Sequence, residues 1–235
     1  MQVASWPRIM CKLLPTRSRT RIFRKITLFL QGFFFSCIVF AGFEISQELL
    51  AKIESKYGKV ATVRVSEWQQ LMLANQALPE NEKLAKVNDF FNQSINFVDD
   101  IALWNVNDYW ATPVEFLAQG AGDCEDYAIA KYFTLKELGV PEEKMRITYV
   151  KAIQLNQAHM VLTYFETPRA VPVVLDNLIP EIKLASTRDD LVPVYSFNGS
   201  GLWLAKSRGS GQRVGDADRL SLWADLTQRI MRNDL

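Results

Sequence analysis

The sequence predicts an α+β domain, with a central helix packed on an antiparallel sheet. Three observations carry this expectation. Apolar residues recur at helical spacing as far as Gly139, after which the period changes to short runs rich in Val, Ile, Thr and Tyr. The helix ending at Gly139 is apolar on more than one face, so it must lie inside the domain. A chain of 235 residues, 49% hydrophobic, can bury one sizeable core.

In chain order, residues 1–43 form a leader and residues 44–235 the domain. Residues 1–25 hold seven basic side chains (Arg8, Lys12, Arg17, Arg19, Arg21, Arg24, Lys25) and no acid. The run "ITLFLQGFFFSCIVFAGF", residues 26–43, is apolar apart from Gln31 and a few small residues. A basic start followed by an apolar run directs export with the basic side retained in the cytoplasm, so the domain is expected outside it. Val39 and Ala41 offer a small-residue cleavage site, and an uncleaved membrane anchor is the alternative.

"SEWQQLMLANQAL" reads as a helix capped by Ser66, and "NEKLAKVNDFFNQSI" as a second, with Leu84, Val87, Phe91 and Ile95 at helical spacing. "TPVEFLAQG" combines a Thr112 cap, Pro113 at the first helical position and Gly120 as the stop. "GDCEDYAIAKYFTLKELG" is the central helix. "MRITYVKAIQL", "AHMVLTYF" and "VPVVLD" read as consecutive antiparallel strands separated by turns, with "VPVYSFN" and "LWLAK" as two more. "GSGQRVGDADRL" reads as a loop before a last helix, "RLSLWADLTQRIMR". The tryptophans read as core, and the acid pairs at Asp99 and Asp189 as solvated loop.

Net charge hides an asymmetry. Without the leader, 20 basic groups face 26 acidic ones, which speaks against a nucleic-acid binder. Cys11 and Cys37 lie in the leader, so Cys124 is the only thiol of the domain, and His159 is the only histidine of the chain. No disulfide can form within the domain, and an exported unpaired thiol is either buried or used. Cys124 sits at a helix entry, where unpaired N–H groups and the helix dipole favour an anion. His159 lies at the start of one strand and Asp176 at the end of the next. Thiolate, general base and orienting carboxylate can converge from those three places. Taken singly, each also has a plain structural reading: a packed cysteine, a core histidine and a strand-end turn former.

Asp123, Glu125 and Asp126 flank the thiol, and like charge opposes its ionisation. A hard divalent cation on oxygen ligands, calcium above all, would offset them, although acids in the first turn of a helix have the same composition. The segment lacks the alternation and the sixth-position glycine of an EF-hand loop. "RGSGQRVG" is not a dinucleotide fingerprint.

The residues "GDCEDYAIAKY", "AHMVL" and "LDN", with the upstream "WNVNDYWATPVEFL", resemble the bacterial transglutaminase-like cysteine proteinases of the LapG type. The resemblance implies a papain/transglutaminase-like core with Cys124 as nucleophile, His159 as base and Asp176 as the residue orienting the imidazole. It implies a calcium site at Asp123, Glu125 and Asp126. It further implies a periplasmic endopeptidase that cuts near the N-terminus of a giant repeat-rich adhesin at paired alanines, releasing it and dispersing a biofilm. An inner-membrane receptor for cyclic di-GMP would sequester such a protease. A transglutaminase-like acyl transferase on the same three residues, a non-enzymatic calcium-binding module, and zinc on Cys124, His159 and Asp176 are the competing readings.

Overall fold

The computed structural model describes residues 44–204 and 211–232, so the expected leader, with its basic cluster, apolar run and candidate cleavage site, lies outside the described residues. The first half is helical: α1 (Gln47–Tyr57), α2 (Lys59–Asn75) and α3 (Glu80–Ser94), then α4 (Asp100–Leu103), α5 (Pro113–Gln119) and the central α6 (Cys124–Glu137). Ser46 caps α1 by accepting from the Leu49 N–H, and Gly58, at φ 82°, breaks the chain between α1 and α2. Helix α2 therefore starts earlier than its sequence cap Ser66 suggested.

Two short strands, β1 (Asn96–Phe97) and β2 (Ala121–Gly122), pair in parallel and tie the end of α3 to the segment just before Cys124. Upstream, α5 starts with the expected Thr112 cap and Pro113, and Glu115 completes a capping box with Thr112. Its stop, Gly120, is left-handed at φ 71°, and the Arg64 guanidinium sits where a Cβ would be. Arg64 donates to the carbonyls of Leu117 and Ala118 at 2.7 and 2.8 Å, closing the C-terminus of α5. That turn aims the chain into α6.

The second half is a seven-stranded antiparallel sheet in the order β6-β5-β4-β3-β7-β8-β9. Its strands are β3 (Met145–Ala152), β4 (Gln157–Tyr164), β5 (Val173–Leu175), β6 (Lys183–Leu184), β7 (Leu191–Asn198), β8 (Gly201–Leu204) and β9 (Gln212–Gly215). The segment around β9, expected as loop, pairs with β8 instead, because the edge accepts a polar strand whose side chains stay in water. Helix α7 (Ser221–Arg232) closes the described chain.

Helix α6 is buried along most of its length, including Ile129, Ala130, Tyr132 and Leu135, and packs on the face of β3 and β4 that presents Ile147, Met160 and Leu162. Its other flank meets α3, where Phe91 is fully buried and stacks on Phe116. Trp110, Phe197 and Trp223 continue the aromatic core beneath α7. Truncating one such buried ring costs about 3–5 kcal/mol, so this layer is what holds α6 rigid against the sheet.

Candidate active site

Cys124 occupies the first position of α6, half-buried, at the wall of a cleft of about 410 Å³. His159, third residue of β4, and Tyr149 and Tyr195, stacked at 5.0 Å from β3 and β7, line the same cleft, together with Trp110 and Phe97. Cys124 and His159 thus line one cleft. A second cavity, of about 480 Å³ between α1, α5 and α7, contains none of these residues.

Asp176 follows directly on β5, and its Oδ1 lies 2.8 Å from His159 Nε2, both side chains being buried. A carboxylate at Nε2 makes that nitrogen the donor and leaves Nδ1 as the acceptor. The Leu178 N–H also donates to Oδ1 at 3.0 Å, and Arg188 Nη2 donates to Oδ2 at 2.7 Å. Burial opposes ionisation of Asp176, yet His159, the Leu178 N–H and Arg188 together hold its pKa down at about 2. Arg188, 3% exposed, is shared with Asp190 and comes from the irregular segment after β6.

The surroundings of Cys124 are the opposite. Its thiol donates to Glu125 Oε2 at 3.0 Å, and burial followed by Glu125 pushes its pKa up, with the Met160 N–H opposing. Asp123, at the N-cap of α6, makes no capping bond. Asp126 is fully buried: Oδ1 accepts the Ala111 N–H at 2.8 Å while Oδ2 has no partner. Asp100 Oδ1 and Asp123 Oδ1 are likewise buried without partners. Ligand atoms of Asp100, Asp123 and Asp126 lie within 4.8 Å of one another, and Glu125 forms comparable groups with Asp123 and Cys124 and with Asp100 and Asp108. Burial and neighbouring acids raise Asp123 to about 10, Asp100 to about 6 and Asp126 well above the ordinary range. At Gly122 a Cβ would collide with Asp126 Oδ2 and the Phe116 ring, so only glycine lets that carboxylate turn inward. Three converging carboxylates with orphaned oxygens fit a hard cation.

Two sequence expectations are corrected. Asp100, expected in solvated loop, is 2% exposed, because the Tyr109 N–H binds its Oδ2 and the 104–112 segment folds over it. Asp190 is not free in solvent but grips Arg188. The sequence reading missed Asp100 in the acidic cluster and Arg188 beside Asp176. Neither has a local signal, since the partners of each come from other elements.

The profile described as bacterial transglutaminase-like cysteine proteinase matches residues 54–206. Among curated proteins there is no significant match. LapG of Legionella pneumophila is 45% identical in three solved forms. The EGTA-treated form is matched over 79% of this chain and 98% of its own, with a TM-score of 0.69. For the calcium-bound form the figures are 79%, 99% and 0.67.

Proposed function

The chain belongs to the bacterial transglutaminase-like cysteine proteinases, and from that premise we propose that it is a calcium-dependent periplasmic endopeptidase acting through Cys124, His159 and Asp176. The observation that carries the reading is the buried His159–Asp176 hydrogen bond at 2.8 Å on the wall of the cleft that also holds Cys124. Its substrate would be the N-terminal region of a large surface adhesin, cut at a paired-alanine site, with release of the adhesin and dispersal of the biofilm. The basic-then-apolar segment 1–43 supports export, and family likeness supports sequestration by an inner-membrane cyclic di-GMP receptor.

His159 Nδ1 takes the thiol proton as the Cys124 sulfur attacks the scissile carbonyl, and the same proton passes to the departing amine as the C–N bond breaks. Water then attacks the thioester, giving its proton to His159, and the acid product leaves as the thiol is restored. The Cys124 N–H, at the first position of α6, would donate to the oxyanion. Asp176, held ionised, keeps Nε2 protonated and steadies the imidazolium.

Asp123, Glu125 and Asp126, with Asp100 added to the set, would hold calcium, a reading that the calcium-bound form of the Legionella relative supports. Bound there, it supplies the positive charge that offsets the carboxylates around the thiol. Incubating the protein with an N-terminal adhesin fragment, with calcium or with a chelator, tests the whole reading. Cleavage should vanish on chelation, return on adding calcium, and be absent in Cys124→Ala. Cleavage that persists in chelator removes the calcium requirement alone, whereas cleavage by Cys124→Ala removes the protease assignment of that thiol.

A further inference from the structure

Strand β5 ends at Leu175, whose pairing with Leu162 is the last rung of its ladder with β4. Asp176 therefore lies one residue beyond the sheet, at the head of an irregular segment, and the β-ladder does not hold it. Something else must fix it if its carboxylate is to orient His159.

The main-chain oxygen of Asp176 answers this. It accepts from Asn92 Nδ2 at 2.8 Å and from Lys131 Nζ at 3.2 Å. Lys131 also donates to Asn88 Oδ1 at 2.9 Å and Asn92 Oδ1 at 2.8 Å, which uses all three of its protons. Asn88 Nδ2 in turn donates to the Pro180 carbonyl at 2.7 Å. Both asparagine oxygens thus face the ammonium, and both amide nitrogens face the segment 176–180. Lys131 stands seven residues after Cys124 on α6, so the two share one side of that helix about two turns apart.

Filling a core with this lysine is costly. Lys131 is 1% exposed, and among the described residues no carboxylate lies within ion-pair distance of its Nζ. Burial lowers its pKa to about 7, with Asp176 and Asp89 opposing. An apolar side chain of similar volume would fill the space without that desolvation. What the lysine adds is direction: three donors aimed at fixed oxygens.

Resting on the reading that Asp176 orients His159, we infer that Lys131, with Asn88 and Asn92, is a positioning device that fixes Asp176 relative to the helix carrying the nucleophile. The ammonium measures the distance between α6 and the segment after β5, and the two asparagines pass that position from α3 to the Asp176 and Pro180 carbonyls. The catalytic groups remain Cys124 and His159; Lys131 acts only through Asp176.

The test uses the full-length, calcium-loaded protein as wild type, Lys131→Met, Asn92→Ala, Asp176→Asn and the Lys131→Met/Asp176→Asn double variant. Because His159 is the only histidine, the imidazole NMR spectrum reports its hydrogen bond without ambiguity. Lys131→Met is expected to stay folded, shift the Nε2–H resonance and lower kcat ~10- to 100-fold on an adhesin fragment, with KM little changed. In the Asp176→Asn background it should add no further loss in kcat. If Lys131→Met fails to fold, Asn92→Ala decides, since it deletes one donor to the Asp176 oxygen and leaves Lys131 two of its bonds. A folded Lys131→Met or Asn92→Ala protein with wild-type imidazole spectrum and kcat overturns the inference. Asp176→Asn with undiminished kcat overturns the triad reading instead, and loss in Asp176→Asn with none in Lys131→Met overturns the positioning role alone.

Discussion

Two acidic neighbourhoods border one cleft, and they are built in opposite ways. Asp176 has both carboxylate oxygens satisfied by the chain itself, through His159, the Leu178 N–H and Arg188, and it stays ionised down to about pH 2. Asp100, Asp123 and Asp126 crowd together with orphaned oxygens, and among the described residues no lysine or arginine is ion-paired with any of them. One site is complete as folded; the other is short of positive charge. The difference teaches that the chain supplies its own cation, Arg188, to Asp176 and, among the described residues, none to the cluster. Asp176 keeps its charge beside the imidazole down to about pH 2, whereas burial and mutual repulsion push the cluster beside Cys124 towards its protonated form.

Replacing Arg188 with methionine breaks this contrast most severely, because it turns the satisfied acid into one short of a cation. Asp176 would remain buried with only His159 and one N–H, and loss of one partner of a buried pair costs about 3–5 kcal/mol. Thermal and denaturant unfolding should show that loss, while calorimetric calcium affinity stays at the wild-type value. Altered calcium affinity in that variant would mean the two regions are not independent.

Asp126→Asn makes the converse change. The asparagine oxygen can keep the Ala111 N–H, and its amide would meet the Asp100 and Asp123 carboxylates as a donor. The calcium-free protein should become more stable, and calcium affinity should fall ~10- to 100-fold, checked by unfolding and titration calorimetry in the two conditions. Unchanged affinity would take Asp126 out of the metal site.

How much of this was legible depends on how far each residue's partners lie along the chain. The Thr112 cap of α5, the start of α6 at Cys124, the strand presenting His159 and the strand that ends just before Asp176 are written in neighbouring residues, and all were readable. Even α1 carries a local signal, Ser46 before Leu49, Leu50 and Ile53, although the sequence analysis passed over it. Asp100 was misread because an acid pair looks the same solvated or buried until Tyr109 folds back on it. Arg188 and Lys131 were invisible for a related reason: a basic residue in a loop or on a helix is ordinary until its partner from another element is known, here Asp176 in both cases. Polar residues that serve a site through tertiary contacts leave no period to count.

The last and smallest effect is a difference in pH dependence with and without calcium. In calcium-free protein Asp123 keeps its proton up to about pH 10 and Asp100 up to about 6, whereas the unfolded chain releases both near pH ~4. Above pH ~4 the folded state therefore binds more protons than the unfolded one, and stability falls as pH rises. Asp176 works the other way: its lowered pKa contributes stability that is present above pH ~4 and is lost as pH falls towards 2. Metal-free stability should thus peak in mildly acidic solution. With calcium bound, the cluster would be ionised in the folded state as it is in the unfolded one above pH ~5, so it would no longer make stability fall with pH there. Between pH ~5 and ~8 the melting temperature should therefore fall with pH more steeply in chelator than in calcium. Parallel slopes would show that the acids beside Cys124 are ionised without a cation, and the distinction between the two neighbourhoods would be one of geometry alone.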